Sequence, residues 1–494
     1  DKVEKNSQVV GMEMTAYQNL DQQFIGGQWQ QGGSIHTIQN FNPYTQQEIF
    51  TLQAASTEDV DSAYQAALAA FEQGALTSVQ VRKGLIQNLA NIIQRRREEI
   101  VDWLIQESGS TRFKANLEVD ASLGIIQESA KFPDLIQPEE LESRDPARKS
   151  IVIRKPLGVI AVISPWNFPF HLSMRSVITA IACGNTVVLK PASDTPVTGG
   201  TLLGKLFEEA GTPHGVLNVV VGAGKEIGDY FVEHPIPKMI SFTGSTEVGQ
   251  GVGSKALSSS RMKRLALELG GNAPLVILDD ADLDLAVELT VMGRFMHQGQ
   301  ICMSTNRVIV DQSLHDAYVD KLIERVKTIP VGDPNLPETI IGPIINQSQV
   351  EKHCKIIEHA KQLDAQLVYE GGIEGNVVAP HIFTHVDPYF EIAQEESFGP
   401  ILPILKADDE EHALNLANNS RFGLSSAICT SNIERGERFA AQIDAGMTHI
   451  NGITVADQPN APFGGEKNSG LGRFNGRWIF EEFTRTHWMT LPKQ

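Results

Sequence analysis

Long apolar runs are missing from these 494 residues; no segment approaches the ~18 apolar positions that a bilayer-crossing helix needs. Basic clusters are missing too. The densest, Arg95-Arg96-Arg97, is followed at once by Glu98 and Glu99 on what reads as an exposed, solvated helix face. With 41 basic against 60 acidic side chains and a formal net charge of −19, the chain has the wrong sign for a nucleic-acid or anionic-membrane surface. Cysteine is scarce. Cys183, Cys302, Cys354 and Cys429 stand far apart without CxxC spacing, which fits neither a metal site nor a disulfide framework and suits a reducing cytoplasm. No repeat is visible, so a solenoid is out. The polar stretch 1–20 has no apolar core of a signal peptide. It does not open on Met, and Met12 or Met14 reads as a natural start.

What is present is an ordinary globular balance, 41% hydrophobic and 20% charged, long enough for two to four domains of roughly 100–200 residues. The spacing predicts a helix over about 78–107, with Leu85, Leu89, Ile92, Ile93 and Ile100 on one face. Short apolar strands then alternate with helices: strands at 158–163, 186–189, 216–221 and 239–242, with a helix over 197–210 closed by Gly211. The rhythm restarts after Pro274, with helices over 283–298 and 314–326 around a strand at 308–310. The segment 330–342 reads as a loop, and 484–491 alternates like an edge strand. Such alternation means parallel sheets covered on both faces, an α/β protein with at least two such units.

A doubly wound sheet invites a nucleotide. Gly222-Ala-Gly224-Lys-Glu-Ile-Gly228 is tempting, but its third glycine falls one residue late for GxGxxG and no acid follows at the expected strand end, so it reads as a strand-to-helix turn. No GxxxxGK[ST] is present. Phe242-Thr-Gly244-Ser245, where a strand gives way to a helix, is better placed to offer free N–H groups to a phosphate. Cys302, in Gln298-Gly-Gln-Ile-Cys-Met-Ser304, sits at a small, polar turn that suits an exposed thiolate. The other three cysteines read as inert thiols. Glu268 lies in an apolar run ahead of two glycines; burial without a fixed cation would raise its pKa and suit it to general-base work, whereas outward exposure on an alternating strand would make it ordinary. Asn167, just past a strand end, is either turn chemistry or a donor aimed at an oxyanion. No metal site is expected.

Seven motifs stand in one order and spacing: Ser164-Pro-Trp-Asn-Phe-Pro, Leu189-Lys-Pro, Phe242-Thr-Gly-Ser-Thr-Glu-Val-Gly249, Leu267-Glu-Leu-Gly-Gly, Gly299-Gln-Ile-Cys302, Glu395-Glu-Ser-Phe-Gly-Pro400 and Pro462-Phe-Gly-Gly. Together they resemble the NAD(P)-dependent aldehyde dehydrogenase superfamily over about residues 22–490. The resemblance implies a Rossmann-type cofactor domain (1–134 and 152–266, with 451–479 returning to it), an α/β catalytic domain (267–450) and a small β oligomerisation flap (135–151 and 480–494). It also implies a homodimer or homotetramer and NAD or NADP as cofactor. By the same resemblance Cys302 is the nucleophile, Asn167 and the Cys302 N–H hold the oxyanion, and Glu268 activates the hydrolytic water, which favours hydrolysis over transfer to coenzyme A. Lys190 and Glu396 hold the two riboses, Phe398 packs at the nicotinamide end, and Trp166, Gly244, Ser245 and Gly270 line the cofactor channel. Ser193 stands where strongly NAD-selective relatives carry an acid, so use of either cofactor is expected. Phe474 stands where many relatives carry a glutamate, so deacylation is expected to rest on Glu268 and water, or on a carboxylate not identifiable from the sequence.

The same comparison places Phe168, Leu172, Arg175, Met296, Ile301 and Met303 around the substrate. Semialdehyde dehydrogenases that clamp a carboxylate pair an arginine at the Arg175 place with another six residues before the nucleophile; here that second place is Met296. One cation in an apolar slot suits an aromatic ring bearing a hydroxyl or methoxy group, and the segments 190–200 and 216–224 resemble benzaldehyde and vanillin dehydrogenases. Succinic or other semialdehydes, broad aliphatic aldehydes, a thiol esterase and a non-enzymatic structural relative are the alternatives. For Arg175 the alternative is a structural ion pair outside the pocket.

Overall fold

A computed structural model describes residues 15–494; Met12 and Met14 lie outside the described residues. Two largely parallel sheets form the body. The first has eight strands, and its five parallel members run in the order Leu217–Val219, Thr186–Lys190, Val159–Ile163, Met239–Thr243 and Arg264–Glu268. Their residues are almost all buried, as strands covered by helices on both faces must be. Gln23–Ile25 and Gly470–Leu471 add antiparallel strands on either side of this set. The chain steps outward from Val159–Ile163 in one direction, then returns to place Met239–Thr243 on its other side. That reversal opens a crevice at the carboxyl ends of those two strands, the place where open α/β sheets bind ligands.

The second sheet has seven strands, centred on Thr305–Asp311 and Ala273–Ile277. A separate three-stranded sheet pairs Thr484–Pro492 with Arg148–Pro156 through nine residues of unbroken register, with Glu139–Leu141 beyond. Trp488, Met489 and Leu491 are exposed along its edge.

Three helices differ from the sequence expectation. The 78–107 segment is two helices, Val79–Arg95 and Arg97–Ser108, because Arg96 leaves helical geometry (φ −98°, ψ 14°). Arg96 is not solvated there. Its guanidinium is buried over the Tyr17 ring and bridges Glu99 and Glu209 at 2.7 and 2.8 Å, and three such contacts outweigh the lost helical turn. The first helix still buries Leu85, Ile86, Leu89, Ile92 and Ile93 as the periodicity required, each contributing about 1.5–3 kcal/mol. The 197–210 segment opens as a wide turn, Val197–Thr201, before the regular helix Leu202–Glu209. The Glu107 carboxylate satisfies that turn, accepting from the Val197 and Thr198 amides and the Thr198 hydroxyl at 3.1, 2.7 and 2.6 Å. The third helix stops at Phe295 rather than Gln298, for a reason that belongs to the site.

Candidate active site

The Val159–Ile163 strand delivers Trp166 and Asn167 to the crevice, and the helix Pro169–Ala182 begins two residues later with Pro169 in its first turn. Asn167 is fixed on three sides. Its Nδ2 donates to the Gln300 carbonyl at 2.9 Å, its Oδ1 accepts from the Phe168 amide at 2.9 Å, and its own carbonyl accepts from Lys114 Nζ at 2.6 Å.

Cys302 arrives on the other wall. After Phe295 the backbone takes three consecutive left-handed residues, His297 (φ 50°), Gln298 (φ 59°) and Gly299 (φ 77°), which ends the helix and throws the chain into a tight turn. A Cβ on Gly299 would sit 2.4 Å from the Gly399 carbonyl oxygen, so only glycine fits. Arg294 donates to the Gly299 carbonyl at 2.7 Å, Gln298 accepts from the Gly342 amide at 2.9 Å, and Gln300 accepts from the Ile345 amide at 3.1 Å. These clamps fix the turn that carries Cys302. Opposite, a Cβ on Gly271 would lie 2.3 Å from the Cys302 carbonyl oxygen, so the two glycines after Glu268 let that strand end press against the Cys302 turn.

Glu268 is the last residue of its strand, paired in register with Thr243 and only 1% exposed. It does not face solvent. Nor is it free of a cation: Arg175 Nη2 stands 3.6 Å from its Oε2. Neither Glu268 oxygen accepts a hydrogen bond among the described residues. Burial pushes its carboxyl above the usual range against the opposing pull of Arg175. Burial and the neighbouring Glu268 charge push the Cys302 thiol up as well, against the pull of Arg175, and set a candidate base beside the sulfur.

The residues expected to meet a cofactor ring the same crevice. Lys190 ends its strand nearly buried, its ammonium without an ion pair among the described residues and pushed down to about 8 by burial. Ser193 follows it, partly exposed. Gly244 and Ser245 lead into the thirteen-residue helix Thr246–Ser258, which Ser245 caps through the Val248 amide at 3.4 Å. Gly270 donates to Thr246 Oγ1 at 3.1 Å. Glu396 accepts from the Gly271 amide at 2.7 Å, its carboxyl pushed up to about 7 by burial. Phe398 holds a left-handed φ of 56° and meets Trp166 edge to face at 5.5 Å. Phe168, Met296, Ile301 and Met303 belong to one apolar cluster that reaches Cys302, and Leu172 is buried in the helix Pro169–Ala182 without belonging to it. Gly224–Gly228 is a wide helical turn.

Several neighbours carry no signal in the sequence. Lys114 and Glu118, at i and i+4 on the helix Arg112–Ser129, look like a surface pair but are fully buried behind Asn167. His171 and Asp457, 286 residues apart, meet at 3.3 Å.

The aldehyde dehydrogenase family profile matches residues 29–489. The chain belongs to that family. This aldehyde dehydrogenase is 53% identical over 469 residues to a vanillin dehydrogenase of Corynebacterium glutamicum, covering 95% of this chain and 97% of that one. It is 46% identical to a benzaldehyde dehydrogenase of Bacillus subtilis, with 97% and 99% covered. The crystal structure of an NAD-dependent benzaldehyde dehydrogenase from Corynebacterium glutamicum superposes with a TM-score of 0.89 at 49% identity, over 97% of this chain and 98% of that one.

Proposed function

We propose that this aldehyde dehydrogenase oxidises aromatic aldehydes of the benzaldehyde and vanillin type to their acids, with NAD or NADP. One observation carries the substrate class: the cluster beside Cys302 is apolar, and the buried cations near it, Arg175 and Lys114, are already engaged by Glu268 and Glu118. A dianionic product of a succinic type would need two free cations, and Met296 supplies none. The names of the similar vanillin and benzaldehyde dehydrogenases support the same class.

The crevice fits a dinucleotide: an unpaired ammonium at Lys190, a capped helix start at Ser245, and the Glu396 carboxyl at its far end. When bound, the nicotinamide supplies a hydride acceptor. The chain's residues do the rest. Glu268 takes the Cys302 proton, and the sulfur forms a bond to the aldehyde carbon. Asn167 Nδ2 and the Cys302 amide stabilise the oxyanion, a contribution of about 10²–10³ in rate for one donor. With hydride lost, the carbon is a thioester of Cys302. Glu268 passes that proton to solvent and, ionised again, accepts a proton from water, whose oxygen bonds to the acyl carbon as the carbon–sulfur bond breaks, releasing acid and thiolate.

Ser193, lacking a carboxylate to repel a 2′-phosphate, supports dual cofactor use. The edge strand Thr484–Pro492 with its exposed Trp488 supports a homodimer or homotetramer through the flap. The division into a cofactor unit (1–134, 152–266 and 451–479), a catalytic unit (267–450) and a flap (135–151 and 480–494) is part of this proposal, as is a cytoplasmic setting. No helix among the described residues is long and apolar enough to cross a membrane.

The test is the rate of nicotinamide reduction with benzaldehyde, vanillin, succinic semialdehyde and hexanal, each with NAD and NADP. Aromatic aldehydes should lead in kcat/KM by at least about tenfold, the worth of one well-filled apolar contact. Succinic semialdehyde in front would overturn the substrate class, and a preference for NAD beyond about a thousandfold, or ~4 kcal/mol, would overturn dual use.

A further inference from the structure

We propose that Arg175, held on a platform made by Phe474 and Phe463, is the positioning residue of the general base: it aims the Glu268 carboxylate and keeps it ionised for deacylation. This rests on the assignment of Glu268 as that base.

Arg175 is 1% exposed and projects from the Pro169–Ala182 helix toward the ends of two paired strands. Its Nη2 donates to Thr243 Oγ1 at 3.1 Å, and Thr243 is the register partner of Glu268. The same nitrogen faces Glu268 Oε2 at 3.6 Å, close enough to act on its charge and too far to tie it in a hydrogen bond. The guanidinium lies 3.9 Å from the Phe474 ring centroid and 5.1 Å from that of Phe463. Those two residues exchange backbone hydrogen bonds at 3.0 and 2.7 Å, so the platform is a rigid unit. Nε and Nη1 of Arg175 have no partner among the described residues. A structural arginine buried this deeply would saturate its donors; this one spends a single hydrogen bond on orientation and leaves its charge for Glu268.

Phe474 explains why that charge is available. A carboxylate there would contact the guanidinium directly and compete for it. With an aromatic ring in its place, Glu268 is the one carboxylate within 4.0 Å of Arg175 among the described residues. The other groups facing Glu268 are Cys302 from the turn after Gly299, Asp457, and Glu396 across the crevice. Asp457 is itself bonded to His171 at 3.3 Å and to Asn475 at 2.8 Å. Both carboxylates oppose ionisation of Glu268, and Arg175 is the cation that offsets them.

The test is the pH dependence of steady-state kcat, with the pre-steady-state burst of nicotinamide reduction, in Arg175→Met, Arg175→Lys and Phe474→Leu. Glu268 works as a base only when ionised. Removing its cation therefore moves the acid limb to higher pH, by at least one unit in Arg175→Met, a tenfold loss of kcat on that limb. Arg175→Lys should restore most of the shift, and Phe474→Leu should shift the limb part of the way. In a Glu268→Gln background, Arg175→Met should add nothing further. A raised aldehyde KM with the limb unmoved, or an undiminished effect of Arg175→Met without Glu268, would overturn the proposal. An infrared titration of the buried carboxyl band, identified by its loss in Glu268→Gln, reads the same proton without turnover. It should titrate higher in Arg175→Met, and an unchanged midpoint overturns the proposal whatever the substrate proves to be. If Glu268→Gln leaves deacylation intact, the base assignment fails instead.

Discussion

Two buried ion pairs flank the helix Pro169–Ala182, one at its start and one at its middle, and they are built in opposite ways. Lys114–Glu118 is saturated: the ammonium donates to Glu118 at 2.6 Å, Ser110 at 3.0 Å and the Asn167 carbonyl at 2.6 Å, while Glu118 also accepts from the His171 amide at 3.0 Å. Arg175–Glu268 is starved: one hydrogen bond to the arginine, none to the carboxylate, and a 3.6 Å gap between them. A saturated pair holds geometry, because every charge is matched and any displacement leaves one unpaired. A starved pair leaves its carboxylate oriented by charge alone and able to exchange protons, as a base must. On the proposed roles the two divide the work, Lys114 fixing the turn that carries Asn167 and Arg175 tuning Glu268.

Replacing Cys302, the proposed nucleophile, should give the largest effect on either side of that comparison. Cys302→Ala should lower aldehyde oxidation by at least about 10⁴-fold in kcat/KM while leaving the unfolding midpoint unchanged. Next comes the saturated pair. Lys114→Met strands Glu118 without its cation and should cost about 3–5 kcal/mol, read from the denaturant midpoint. Arg175→Met should cost no more than about half of that, since the Glu268 carboxyl has no hydrogen bond to lose. Equal costs for the two would erase the distinction drawn here. Asn167→Ala should reduce kcat by about 10²–10³ with little change in KM, because the amide serves the oxyanion rather than the bound aldehyde.

How much of this was legible in the chain follows from the same contrast. Asn167, Gly244, Glu268 and Cys302 stand where strands or helices end, and such ends announce themselves by a switch from apolar run to Gly, Pro or Asn. The strand-helix rhythm placed both sheets for the same reason. The partners that tune these residues left no trace. Arg175 and Glu268 are 93 positions apart by their numbers, and the pairing depends on two strands and a helix converging. The break at Arg96 was equally hidden, because Tyr17 and Glu209, which reward it, are distant in sequence.

A smaller effect concerns Glu396. Its carboxyl, pushed up to about 7 by burial, carries a growing proton population as pH falls below that value. The ionised form is the better acceptor for ribose hydroxyls, so cofactor Kd should rise as pH drops through 7, approaching tenfold per unit at the low end. Fluorescence titration of the nicotinamide cofactor checks this, and Glu396→Gln should flatten the dependence.

The raised Cys302 thiol has a consequence outside turnover. Peroxides and haloacetamides react with thiolates, and a sulfur kept protonated offers them little to attack. An enzyme that meets reactive electrophiles as its diet can thus sit idle among them and lose few molecules to them. Inactivation by hydrogen peroxide near neutral pH should be slow in the resting protein and should accelerate with alkalinity. Resistance to oxidants at rest and readiness for chemistry would then turn on the same proton.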